Sequence, residues 1–147
     1  MTRQLKFISG DIFIDDRGEL KFCNDFEMTD VKRFYQVSNH KTNFIRAWHA
    51  HKEESKYVYV VTGALILGAV KIDNWDNPSK TSAVERFVLS EKKPGVLFIP
   101  GGYAHGYKTL VADTRIMFFS TASISASAKD DYRYEADHWN PWEVVER

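Results

Sequence analysis

Two histidine-bearing segments hold most of the side chains in this sequence that could move a proton or grip a ligand. The first is Arg46-Ala47-Trp48-His49-Ala50-His51, with Lys56 five residues beyond and Gly63 seven further on. The second is Pro100-Gly101-Gly102-Tyr103-Ala104-His105-Gly106. Side chains alternate along a strand, so His49 and His51 would share one face. A neutral imidazole is a suitable general base near pH 7. A buried ammonium aimed at a carbonyl oxygen stabilises the negative charge that forms when a neighbouring carbon loses its proton. The same ammonium has no lone pair and repels a cation. Three imidazoles beside Lys56 therefore make a poor divalent-metal site, and neither metal nor cofactor is expected.

Strand-forming stretches surround both segments. Phe7-Ile8 and Ile12–Ile14 lead into a turn at Asp15-Asp16-Arg17-Gly18, and Glu19–Phe22 reads as the returning strand. Phe34–Val37, Phe44–His51 and Lys56–Val61 follow, the last stopping at Thr62-Gly63 before Ala64–Ile72 completes a hairpin. Arg86–Ser90, Gly95–Ile99 and Arg115–Thr121 are further strands, with turns at Pro94-Gly95 and Pro100-Gly101-Gly102. Asp25–Arg33 is the helical candidate, although Thr29 and Asp30 also allow a loop there, and the run from Ser120 to Ser127 reads as a surface connection. The tail from Asp130 carries Trp139 and Trp142, a composition that packs. Many short strands with Gly/Pro turns predict an all-β sandwich or barrel.

Composition narrows the function classes. The chain has 147 residues, enough for one domain with its own core. Its 20 basic residues balance 20 acidic ones, which argues against nucleic-acid binding and a polybasic membrane anchor. A single cysteine, Cys23, excludes an intrachain disulfide. No apolar run of signal-peptide length follows Met1, and the longest apolar stretch, Val58–Val70, is broken by Thr62, Gly63 and Gly68. A soluble cytoplasmic protein is expected.

His-x-His, a residue seven before the strand glycine, and Pro-x-Gly-x-x-His resemble the signature motifs of the cupin superfamily. The resemblance implies a double-stranded β-helix, or jelly roll, as a single domain over residues 1–147. Metal-binding cupins usually place Glu where this sequence has Lys56. Lys there resembles the nucleotide-sugar 3,5-epimerases of the dTDP-4-dehydrorhamnose type, and Ile99–Tyr107 is close to that family's IPxGFAHGF. The implied activity is metal-independent epimerisation of a nucleotide-activated 4-keto-6-deoxy sugar, with a dTDP-linked substrate and a homodimer. The implied roles are His49 as base, Asp137 as the carboxylate that orients it, Lys56 as electrophile and His105 as a bond to the sugar. Arg46 would take the diphosphate, and Arg17 would reach a neighbouring subunit's nucleotide. His51, Tyr103, Tyr107 and Gln36 complete the expected substrate contacts.

The sequence departs from that family at definite places. The tyrosine expected thirteen residues after His105, which protonates the sugar's opposite face, is Phe118. A glutamate expected five residues after Arg17 is Phe22. Tyr57, Tyr59, Tyr103 and Tyr107 are the substitutes the sequence offers for the missing acid. Single-carbon epimerisation is one outcome. The stretch from Arg46 to Lys52 also resembles the sugar 3,4-ketoisomerases, which move a proton on one face and need no second acid. A non-catalytic sugar-nucleotide-binding cupin is the third reading.

Overall fold

The computed structural model describes residues 3–147. It is a jelly roll of two five-stranded antiparallel sheets and a separate two-stranded hairpin. One sheet runs in the order β1 (Lys6–Ser9), β9 (Gly95–Ile99), β6 (Lys56–Thr62), β11 (Arg115–Ser120), β4 (Arg33–Ser38). The other runs β12 (Tyr132–Arg133), β5 (Ile45–Ala50), β10 (Tyr103–Thr109), β7 (Ala64–Lys71), β8 (Glu85–Ser90). The hairpin is β2 (Asp11–Asp15) with β3 (Gly18–Phe22). Among the described residues no helix is long and apolar enough to cross a membrane.

Alternation along the strands separates an inner from an outer set of apolar residues. Leu65, Leu67 and Ala69 of β7 join Val58, Val60, Leu97, Ile99, Ile116 and Phe118 between the sheets. Ile66 and Val70 of the same strand face outward, where Trp48, Trp139 and Trp142 cover them. The tail therefore packs as a third layer, and Trp48 meets Trp139 edge-on at 5.2 Å. Gly68 makes this approach possible, since a Cβ there would stand 2.8 Å from the Trp48 ring and 2.9 Å from Pro141.

Three local expectations change. Asp25–Arg33 is a pair of turns rather than a helix. Phe26 is held against Tyr57 and Phe119, at 4.9 and 5.3 Å between ring centres, and Asp30 accepts from Tyr57, so tertiary contacts override the segment's local preference. The run after Ser120 contains a short helix, α1 (Ile124–Ala128), capped by Ser123, whose hydroxyl accepts from the Ala126 N–H. The segment Tyr103–Thr109, which the sequence presents only as a motif and a turn, is the central strand β10. Its Ala104 and Gly106 have little strand propensity; Ala104 packs in the outer cluster with Trp48 and Trp139, and Gly106 meets a need for close approach.

Candidate active site

A cavity of about 140 Å³ opens between the sheets, lined by Tyr35, Val37, Arg46, His49, Lys56, His105, Tyr107 and Phe118. β5 and β10 supply one wall with Arg46, His49, His105 and Tyr107. β4, β6 and β11 supply the other with Tyr35, Val37, Lys56 and Phe118.

Regular alternation would put Arg46 and His49 on opposite faces of β5. A bulge corrects this. His49 pairs with His105 and Arg46 pairs with Tyr107, so Ala47 and Trp48 together face Gly106 alone. Both Arg46 and His49 then line the cavity, while Trp48 turns into the outer layer. Gly106 is required opposite the bulge, because a Cβ there would lie 2.4 Å from the Ala47 Cβ and 3.1 Å from the Arg46 carbonyl. The Ala-His-Gly-Tyr motif is thus the partner surface of a bulged strand.

The three histidines converge. The His105 ring centre is 6.4 Å from that of His49 and 6.1 Å from that of His51. His51 lies just past the end of β5, and its Nδ1 is 2.5 Å from the Asp130 carbonyl, which fixes Nδ1 as the donor. Its Nε2 is buried with no partner among the described residues, as is Nδ1 of His105. Burial depresses the His105 pKa well below the usual histidine value, and the charges of Lys56, His51 and His49 push the same way. Burial also lowers that of His49, with Arg133 and Lys56 adding to the effect and Asp131 opposing it. Both rings are therefore neutral at pH 7, the form a base must have.

Lys56 enters from the opposite wall, and only 8% of its surface is exposed. Its Nζ donates to the Tyr35 hydroxyl at 2.6 Å and stands 3.6 Å from Glu54 Oε2. Glu54 is the hub behind the cavity. It accepts from Ser120 Oγ at 2.7 Å, lies 3.7 Å from Arg33 Nη2, and approaches His51 Nδ1 to 3.7 Å. Burial works against its charge, but hydrogen bonds from Ser127 and Ser120 and the charges of Lys56 and His51 hold its pKa below the usual value. Burial lowers the Lys56 pKa, and Arg33 lowers it further; Glu54 acts in the other direction. The loop carrying Glu54 is shaped by Asp130, whose carboxylate accepts from the backbone N–H groups of Lys52, Glu53 and Glu54.

The cavity gathers Arg46, His49, Lys56, His105 and Tyr107 of the residues expected from sequence, with His51 against its rear. It does not gather the others. Asp137 is exposed in the tail, where its carbonyl accepts from Asn140. β12 pairs Arg133 with His49, and Asp131, two residues before it, contributes a charge that favours the protonated ring while its hydrogen bonds go to Arg133. Arg17 sits at the tip of the β2–β3 hairpin, bound to Asp15. Gln36 is exposed on β4, its side chain on the opposite face from Tyr35 and Val37. Tyr103 packs against the core edge near Leu5 and Gly102. Tyr57 bonds Arg3 and Asp30 outside the barrel, and Tyr59 packs in the same outer cluster. Sequence reading missed Tyr35 and Glu54. Tyr35 alternates with Gln36 in a plain strand, and the carboxylate of Glu54 stands in a polar loop, so neither carries a local signal.

A family model described as dTDP-4-dehydrorhamnose 3,5-epimerase matches residues 3–143. The spore coat polysaccharide biosynthesis protein SpsL of Bacillus subtilis is 28% identical over 136 residues, 86% of this chain and 88% of that protein. A crystal structure of dTDP-4-dehydrorhamnose 3,5-epimerase from Bacillus anthracis superimposes with a TM-score of 0.76 at 22% identity, covering 97% of this chain and 86% of that one. A 3,4-ketoisomerase from Helicobacter canadensis superimposes with a TM-score of 0.68 at 17% identity, covering 93% and 96%.

Proposed function

The chain belongs to the dTDP-4-dehydrorhamnose 3,5-epimerase family, and from that premise we propose that it epimerises a nucleotide-activated 4-keto-6-deoxy sugar, dTDP-linked, at one or both carbons beside the ketone. The family consists of isomerases, and the homologue SpsL belongs by name to polysaccharide biosynthesis. The observation that carries the reading is the pairing of a neutral His49 on one wall with a buried Lys56 on the other, in a cavity edged by Arg46.

His49 takes the proton from the carbon next to the ketone. The electrons move onto the ketone oxygen, and Lys56 stabilises the enolate formed there. Of its three N–H donors one is spent on Tyr35, leaving others for that oxygen. His105 bonds a sugar hydroxyl, and Arg46 at the cavity edge takes the diphosphate. Phosphate binding and proton abstraction thus come from one bulged strand, three residues apart.

Oligomerisation belongs to the same reading. Among the described residues the β2–β3 hairpin pairs with no other strand, and it exposes Phe13, Ile14 and Leu20. In a homodimer it would lie against a second copy and carry Arg17 toward that copy's nucleotide. Cytoplasmic location, where nucleotide sugars are made and used, completes the proposal.

One observation favours the 3,4-ketoisomerase alternative: Phe118 offers no proton at the position where the family's tyrosine serves the opposite face. Product analysis decides between them. The protein is incubated with dTDP-4-keto-6-deoxyglucose and the sugar is followed by NMR. The C3 or C5 epimer is the expected product. A 3-keto sugar with a new C4 proton would move the protein to the ketoisomerases. Absence of any product from dTDP-, GDP-, UDP- and CDP-linked keto sugars would leave only a binding role.

A further inference from the structure

Epimerisation needs a second proton source, on the face of the sugar away from the base. Four tyrosines suggest themselves from sequence, and the fold removes three of them: Tyr57, Tyr59 and Tyr103 do not reach the cavity. Tyr107 does, but it stands on β10, beside β5, and so on the same wall as His49. The opposite wall presents one hydroxyl, that of Tyr35.

Resting on the epimerase reading, we propose that Tyr35 is the acid that protonates the enolate on the face opposite His49, in place of the tyrosine that Phe118 lacks. The two positions are neighbours. β4 pairs with β11 so that Tyr35 is directly across from Phe118, and the rings stack with centres 5.1 Å apart and planes 10° from parallel. A hydroxyl carried on position 118 in relatives with tyrosine is here carried one strand over, on the same wall of the same cavity. The Tyr35 oxygen accepts from Lys56 at 2.6 Å, so its own proton is free to point at the substrate. Burial holds the phenol protonated at pH 7, with Glu54 adding to the effect.

The proton count closes. His49 removes the carbon-bound proton and becomes imidazolium. The enolate forms against Lys56. Tyr35 gives its O–H proton to the same carbon from the other side, and the ketone is restored. The phenolate is stabilised by the adjacent ammonium. Solvent then takes the proton from His49 and returns one to Tyr35.

The test separates exchange from inversion in heavy water, using dTDP-4-keto-6-deoxyglucose and NMR. Tyr35→Phe keeps the ring stack and should fold, with a melting temperature lowered by a few degrees because Lys56 loses an acceptor. It should still wash deuterium into the sugar through His49 with retained configuration, while the inverted product falls at least about a hundredfold. The double variant Tyr35→Phe, Phe118→Tyr should recover at least about a tenth of the wild-type inversion, because the hydroxyl returns to the same wall. Inversion by Tyr35→Phe at the wild-type rate would overturn the proposal while leaving the epimerase reading intact. Equal loss of exchange and inversion would also overturn it, by making Tyr35 a support for Lys56 only. Failure of the wild-type protein to exchange any sugar proton would remove the epimerase reading, and this proposal with it.

Discussion

Replacing Glu54 with Gln removes the buried countercharge of Lys56 and little else. The Gln carbonyl can still accept from Ser120, and the side-chain volume is nearly kept. At 3.6 Å the lost attraction between Glu54 and Lys56 is about 4–5 kcal/mol for an effective dielectric of about 20. Arg33, at 3.7 Å from the same oxygen, loses its partner as well. Removing one member of a buried pair costs about 3–5 kcal/mol in general. Lys56 can release its proton and avoid part of this, so about 3 kcal/mol is expected at pH 7, or about 6–12 °C in melting temperature for a chain of this size. The pH dependence carries a definite sign. The folded-state pKa of Lys56 is already below its unfolded value of 10.5, and the variant lowers it further. Between the two values the unfolded chain binds more protons, so stability rises with pH. The deficit of the variant should therefore shrink between pH 7 and pH 10. Lys56 must be protonated to hold an enolate, so the basic limb of kcat/KM should move down by about one pH unit or more. Thermal melts from pH 6 to 10 and a pH–rate profile of sugar-proton exchange measure both. An unshifted basic limb with an unchanged melting temperature would refute the view that Glu54 maintains the charge on Lys56.

The acid limb of the same profile should lie below pH 6.5, because burial and the neighbouring cations favour neutral His49. Arg133→Gln should raise that limb, by less than about half a unit since the guanidinium is mostly exposed. Gly106→Ala should cost about 1–3 kcal/mol in a denaturant titration and reduce turnover by more than binding of dTDP, as the new methyl forces apart the strands that set Arg46 and His49. Deleting residues 11–22 should convert a dimer to a monomer in analytical ultracentrifugation; a shortened chain that still sediments as a dimer would place the interface elsewhere.

The jelly roll was legible because its strands alternate strongly and its turns carry Gly and Pro at Gly63, Pro94 and Pro100–Gly102. The histidines and Lys56 were legible because their spacing survives as a linear pattern. Other parts of the site have no such pattern. Strand β10 hides behind Ala104 and Gly106, two weak strand formers, of which Gly106 is small because it faces the bulge. Strict alternation misplaces Arg46 relative to His49 until the two-against-one register at Gly106 is seen. Tyr35 reaches the cavity through pairing with a strand eighty residues away, and Glu54 through folding of its loop around Asp130. The place of Asp137 in the tail carries no information on depth, and the fold leaves that carboxylate in solvent.

The central claim is that His49 removes a carbon-bound proton from a keto sugar while Lys56 holds the enolate. Deuterium uptake into dTDP-4-keto-6-deoxyglucose tests it most directly, comparing the wild-type protein with His49→Asn at equal dTDP affinity. The account predicts uptake beside the ketone in the wild type and a loss of at least about a thousandfold in the variant, with an unchanged melting temperature. Uptake by His49→Asn within tenfold of the wild-type rate would contradict it.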